Sequence, residues 1–153
     1  MFRGFSTLSL DAKGRLAIPA RYRARLTAVC GNQFMLTAHP HDPCLLLYPL
    51  PEWEAAEARL LQLPDAPDPI RTLKRVMSGY ATECELDGQG RILVPQELRE
   101  IAMLERDVML FGQRTKFEIW SKQVWDRQRD EGWLSKMGKP ETELPELLRE
   151  FAL

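Results

Sequence analysis

One ten-residue phrase occurs twice in this chain, and any fold it adopts must house both copies. Leu10-Asp11-Ala12-Lys13-Gly14-Arg15-Leu16-Ala17-Ile18-Pro19 returns, 76 residues on, as Leu86-Asp87-Gly88-Gln89-Gly90-Arg91-Ile92-Leu93-Val94-Pro95. Leu, Asp, Gly, Arg and Pro are identical at five matched positions, and the other exchanges are mostly apolar for apolar or turn residue for turn residue. Self-similarity of this kind marks a duplicated supersecondary unit. At 153 residues the length favours one domain with one well-buried core. The two copies are therefore expected to share it.

Each copy reads as strand, turn, strand, helix, strand, strand, helix. Alternation over residues 5–10 predicts a half-buried strand. Asp11 to Gly14 predicts a turn, because an aspartate carboxylate accepts from amides two residues on and glycine suits the closing position. Residues 15–18 resume the strand. Pro19 then opens a helix in which Tyr22, Leu26 and Val29 face inward and Gly31 caps the end. Strands are expected at 33–37 and 44–48, and a helix at 52–63 carries Trp53, Ala56, Leu60 and Leu63 on one face. Three prolines at 64–69 predict a linker, followed by a short helix at 70–78 with Ile70, Leu73 and Met77 inward.

The second copy predicts strands at 81–86 and 91–94, a helix at 96–102, strands at 107–111 and 116–120, and a helix capped by Ser121 that carries Val124, Trp125 and Trp133. Late in the copies the spacing falls to 72, from Tyr48 to Trp120 and from Trp53 to Trp125. The difference is assigned to the loop at 39–43, where an insertion is easily tolerated. The expected organisation is a first repeat at 5–50, a helical connection at 51–78, a second repeat at 79–122 and a C-terminal helical tail at 123–153. In that tail Leu144, Leu147, Leu148 and Phe151 have amphipathic spacing. Neither half would bury its strands alone. The expected fold is thus α+β, mainly β: the copies exchange strands across a pseudo-twofold axis to form one small β-barrel with peripheral helices.

A net charge of −1 decides nothing by itself, because distribution matters more. Residues 1–30 hold Arg3, Lys13, Arg15, Arg21, Arg23 and Arg25 against Asp11 alone, whereas the chain from Asp126 onward leans acidic. A duplicated turn ending in arginine places Arg15 and Arg91 at equivalent sites, as reading a repeating polyanion requires. The guanidinium is always charged and offers a planar fork that matches a phosphate or the O6/N7 edge of guanine. Asp11, Gly14, Asp87 and Gly90 are expected to form the turns, with the aspartates orienting the arginines. Lys13, Arg3, Arg21 and Arg23 are expected to add backbone contacts that fix register.

Other function classes find little support. No apolar run approaches the ~18–20 residues of a membrane span, and Met1-Phe2-Arg3-Gly4 opens no secretory signal. Cys30, Cys44 and Cys84 are an odd set without paired spacing, which fits a reducing cytosol. His39, His41 and Cys44 offer metal-ligating groups, but two prolines stiffen the loop and no fourth ligand lies nearby; no metal or cofactor is expected. The four tryptophans lie at helix starts or on helix faces, where core packing is the simpler role. No catalytic constellation emerges, and the chain does not read as an enzyme.

Residues 1–4, 10–15, 19–23, 43–53 and 87–91 together resemble the MraZ family of bacterial transcriptional regulators, over residues 1 to about 135. That resemblance implies two tandem AbrB-like swapped-hairpin units in one chain and subunits assembled into a ring-shaped homo-oligomer. It also implies binding to double-stranded DNA, at short direct repeats in the promoter of the protein's own division and cell-wall gene cluster, in the cytoplasm at the nucleoid. The family's Asp-x-x-x-Arg elements fall on Asp11 with Arg15 and on Asp87 with Arg91; Gln89 stands where the first copy has Lys13. An antitoxin-like module that holds another protein is the main alternative, disfavoured by the two fused units.

Overall fold

The two repeats do not fold side by side; they exchange strands. The computed structural model describes residues 1–137. In chain order the first repeat supplies β1 (Phe2–Ser9), β2 (Arg15–Ala17), α1 (Ala20–Cys30), β3 (Gln33–Ala38), β4 (Leu45–Pro49) and α2 (Leu50–Leu61). Helix α3 (Asp68–Gly79) leads to β5 (Thr82–Glu85), β6 (Arg91–Leu93), α4 (Gln96–Ile101), β7 (Asp107–Arg114), β8 (Phe117–Ser121) and α5 (Lys122–Arg127). The main sheet runs β1-β7-β8-β4-β3-β5, and β2 pairs with β6 in a separate ribbon. Exchanging each strand for its counterpart in the other repeat reverses the sheet order onto itself.

Two pairings locate the pseudo-twofold axis. In the ribbon Leu16 faces Ile92, its own counterpart, and in the sheet Leu46 faces Glu118, likewise its own counterpart. The main core follows the axis: Leu16, Ile92, Leu45, Leu47, Phe117 and Ile119 all have 0% exposure and come from both repeats. Two satellite clusters repeat each other as well. Tyr48 packs edge-on to Trp53 at 5.5 Å between centroids beneath α2, and Trp120 packs edge-on to Trp125 at 5.3 Å beneath α5. These are favourable aromatic geometries.

The expected barrel does not form. Both sheets are open, with β1 and β5 as the edges of the six-stranded one. The cause lies in the hairpins. After the 11–14 turn, β2 keeps only one bridge to the strand it left, Leu10 to Leu16, before pairing with β6. A ladder interrupted after one pair cannot carry hydrogen bonding around a closed wall.

Other departures are local. Pro67 and Pro69 flank and enter the first turn of α3, where a proline lacks no needed N–H, so the linker is shorter than 64–69. Only part of the four-residue length difference lies in the 39–43 loop. Asn32 and Arg106 accept equivalent bonds from Leu86 and Leu10, so two residues are already absorbed before β3, where α1 has 11 residues against 6 in α4. Helix continuity fails at Gly132 (φ −91°, ψ −109°), and Trp133 is 51% exposed rather than packed in the core. The apolar residues 144–151 lie outside the described residues. No helix among the described residues is long and apolar enough to cross a membrane.

Candidate nucleic-acid interface

Both duplicated turns are built by the same set of bonds. Asp11 Oδ1 accepts from the amides of Lys13 at 3.0 Å and Arg15 at 2.8 Å, and its Oδ2 accepts from Arg15 Nε at 2.7 Å. In the second repeat Asp87 Oδ1 accepts from the amides of Gln89 at 2.8 Å and Arg91 at 2.9 Å, and Oδ2 accepts from Arg91 Nε at 2.9 Å. The Gly14 and Gly90 amides close the turns on the carbonyls of Asp11 and Asp87, each at 3.0 Å. Both glycines have positive φ, +85° and +74°, where a side chain is strained.

These bonds hold both carboxyls below the ordinary aspartate range. The amide of Arg15 is the largest influence on Asp11 and that of Arg91 the largest on Asp87; partial burial opposes them. Each aspartate therefore does two things: it folds the turn through one oxygen and fixes its arginine through the other. The bond uses Nε and leaves both Nη nitrogens without a partner among the described residues. What remains is the end-on fork of the guanidinium.

The ribbon brings both forks to one face. Strand alternation sends Leu16 and Ile92 into the core and leaves Arg15, Ala17, Arg91 and Leu93 on the outside. Arg15 lies opposite Leu93 and Arg91 opposite Ala17, which makes the arginines diagonal neighbours. Such positions are about 7–8 Å apart. Their side chains keep 33% and 26% exposure, so neither is sequestered. Lys13 is exposed at the tip of the first turn.

The remaining predicted cations stand elsewhere or are engaged. Arg21 Nη2 donates to Phe5 O at 3.1 Å, Ser6 Oγ at 2.8 Å and Tyr22 Oη at 2.9 Å, strapping α1 to β1. Arg23 Nε donates to Ile18 O at 3.0 Å. Arg3 lies at the start of β1, opposite Gln113, whereas the turn follows the far end of that strand. Arg3, Arg25 and Arg114 gather around Met1 instead, and Arg25 Nη1 donates to Met1 O at 2.9 Å. Arg99 went unread in the sequence although it touches the first turn; the 76-residue spacing that carries Arg23 onto it was the available signal.

Nothing in the 39–44 loop gathers toward a metal. His39 Nδ1 accepts the amides of His41 at 3.0 Å and Asp42 at 2.9 Å, and burial pushes the Cys44 thiol far up. Among the described residues no three His, Cys, Asp or Glu side chains form a metal-holding group.

Comparison with known proteins finds the same duplication. Residues 1–76 and 77–146 each match the family model described as "MraZ protein, putative antitoxin-like". The chain belongs to the MraZ family. It is 47% identical to the transcriptional regulator MraZ of Halorhodospira halophila over 153 residues, all of both chains. With the MraZ of Nitrosococcus oceani it shares 49% over 154 aligned positions, covering 100% of this chain and 98% of the relative. The MraZ of Methylococcus capsulatus is 50% identical over 136 residues, 89% and 88% of the two chains. Membership places this chain among transcriptional regulators and not among enzymes.

Proposed function

We propose that this MraZ chain binds double-stranded DNA through the outer face of the β2–β6 ribbon and represses transcription from the promoter of its own division and cell-wall gene cluster. One observation carries the reading: Arg15 and Arg91 leave the same face with their Nη forks unpartnered. Each fork suits a guanine edge or a phosphate, and Lys13 adds a backbone contact at the turn tip. Each aspartate accepts three bonds within its own turn, and on this reading neither touches DNA, since a carboxylate facing phosphates is repelled.

One chain has too few such contacts to be selective. A bidentate base contact discriminates by about 1–3 kcal/mol, against the roughly 4–10 kcal/mol that separates specific from bulk binding. Several copies in a ring, engaging successive short direct repeats, close that gap because tethered sites act at high effective concentration. The site of action on this reading is the cytoplasm, at the nucleoid.

The test is a salt series of binding to the region upstream of the protein's own gene, with scrambled DNA as control. The intact chain should prefer the upstream DNA, and Arg15→Ala should remove the preference while leaving the oligomer intact. Equal affinity for both probes at every salt concentration would reduce the protein to a non-specific electrostatic binder and end the proposal.

A further inference from the structure

Each turn is held down by an arginine from the other repeat. Arg99, on α4, lies against Gly14: a Cβ built there would stand 2.9 Å from both Arg99 Cζ and Nε. Arg23, on α1, lies against Gly90 in the same way, with Cδ and Nη1 at 2.9 Å and Cζ at 3.0 Å from such a Cβ. Arg23 and Arg99 are themselves counterparts, separated by the same spacing as the turns they cover. A single contact of this kind is ordinary packing. The same contact made twice, in opposite directions across the axis, belongs to the construction of the fold.

Backbone bonds cross at the same points. Val94 N donates to Gly14 O at 2.8 Å, and Ile18 N donates to Gly90 O at 2.9 Å. Gly14 and Gly90 are buried, and each immediately precedes an exposed-face arginine. The glycine peptide is therefore pinned by a backbone bond from the opposite repeat and flanked by that repeat's guanidinium. Its tilt sets the direction in which the next Cα–Cβ bond leaves the ribbon. Hydrogen bonding of its own does not explain the place of Arg99, because its Nε is buried without a partner. A buried unpaired donor is unfavourable, and an instance kept in a folded protein calls for a reason.

We infer that Arg23 and Arg99 are positioning residues that act crosswise, each setting the aim of the DNA-facing arginine in the opposite repeat. Arg99 governs Arg15, and Arg23 governs Arg91. This rests on the reading of the ribbon as the DNA-binding face. The two repeats are then one device, since a lesion in either α1 or α4 is felt at the other repeat's turn.

Amide hydrogen exchange on the DNA-free protein tests the coupling without relying on that reading. Arg99→Met should speed exchange at Gly14 and Arg15 about tenfold relative to Gly90 and Arg91, a local opening rather than global loosening. Arg23→Met should do the reverse, and carries the test alone should Arg99→Met fail to fold. Equal acceleration in both turns, or acceleration in the substituted residue's own repeat, overturns the inference.

Binding to the upstream DNA supplies the second readout. Arg99→Met should weaken binding about fivefold in the native and Arg91→Ala backgrounds and have no further effect in Arg15→Ala, as coupled neighbours do. An undiminished effect in Arg15→Ala would make Arg99 a direct DNA contact or a general stabiliser, and would sink the crosswise role. Arg99→Lys, which keeps the charge but not the flat guanidinium, should match Arg99→Met; full rescue would also overturn it. If Arg15→Ala and Arg91→Ala leave binding unchanged, the DNA reading fails, and the exchange experiment still decides the coupling.

Discussion

Asp11 and Asp87 carry two duties on separate oxygens, and that separation makes them testable one duty at a time. Asparagine keeps an Oδ1 that can accept the two turn amides, but it turns an NH2 group toward Arg15 Nε. Asp11→Asn should therefore fold and assemble as the native chain does, while its DNA affinity falls toward that of Arg15→Ala. Unchanged affinity in a binding titration would mean that the ion pair does not aim the arginine. Acid should act on the same groups. A carboxyl whose folded value is depressed stabilises the fold above its unfolded value, near 4, and loses that contribution as pH falls through the lower folded value. Both turns should thus be indifferent to pH between about 5 and 8 and loosen only below about 4. Carboxyl-carbon NMR titration of Asp11 and Asp87 checks this, and a midpoint above 4 for either would contradict the bonding described.

The turn glycines differ in a way their shared motif hides. A methyl at Gly14 would meet Val94 O at 2.9 Å as well as Arg99, whereas the nearest atoms at Gly90 all belong to the Arg23 side chain. Both alanine substitutions incur the left-handed backbone cost of about 1–2 kcal/mol. Gly14→Ala should add a further ~1–3 kcal/mol, because a backbone carbonyl cannot move aside as a side chain can. Urea unfolding of the two variants would show it; equal losses would mean that the first turn yields more readily than its contacts suggest.

At the scale of elements, what was legible was whatever repeats along the chain, and what was not was whatever depends on meeting across it. The capping serine at α5 and the prolines ahead of α1 and α4 act within a few residues and place these elements correctly, whereas the strand expected at 5–10 is β1 at Phe2–Ser9, with Phe5 64% exposed. Barrel closure depends on hydrogen-bond continuity between β1 and β2, which ends after Leu10, and no periodicity records that. Arg21 read as a free cation because its acceptors lie on β1, 15 and 16 residues away. Arg99 could have been found by carrying Arg23 forward, since the offset holds through the helix start. Thr37 shows the same limit: its hydroxyl, fully buried, donates to Met77 O at 2.8 Å near the end of α3, 40 residues on. Thr37→Val should leave that carbonyl unpaired and cost about 1–3 kcal/mol, measurable as a lower urea midpoint with an unchanged slope. No loss would mean that the carbonyl finds another donor.

For the whole molecule the pseudo-twofold axis sets how binding should scale. It places two forks on one ribbon as diagonal neighbours, so on the proposed reading a single chain would meet one short stretch of duplex, not two distant ones. A lone chain offered DNA with two direct repeats would gain only the statistical factor of about two over one repeat, since no second ribbon is tethered to it. On the proposed ring, neighbouring subunits would present further ribbons, and the second repeat would then be engaged at high effective concentration. Apparent affinity should consequently rise by about a hundredfold or more from one repeat to two. The gain should vanish when the spacer between repeats is changed by half a helical turn, because the second ribbon then meets the wrong side of the duplex. Each additional phosphate neutralised should also steepen the salt slope by about 0.9. A twofold gain with an unchanged salt slope would mean that each chain acts alone, and the ring would then have no part in recognition.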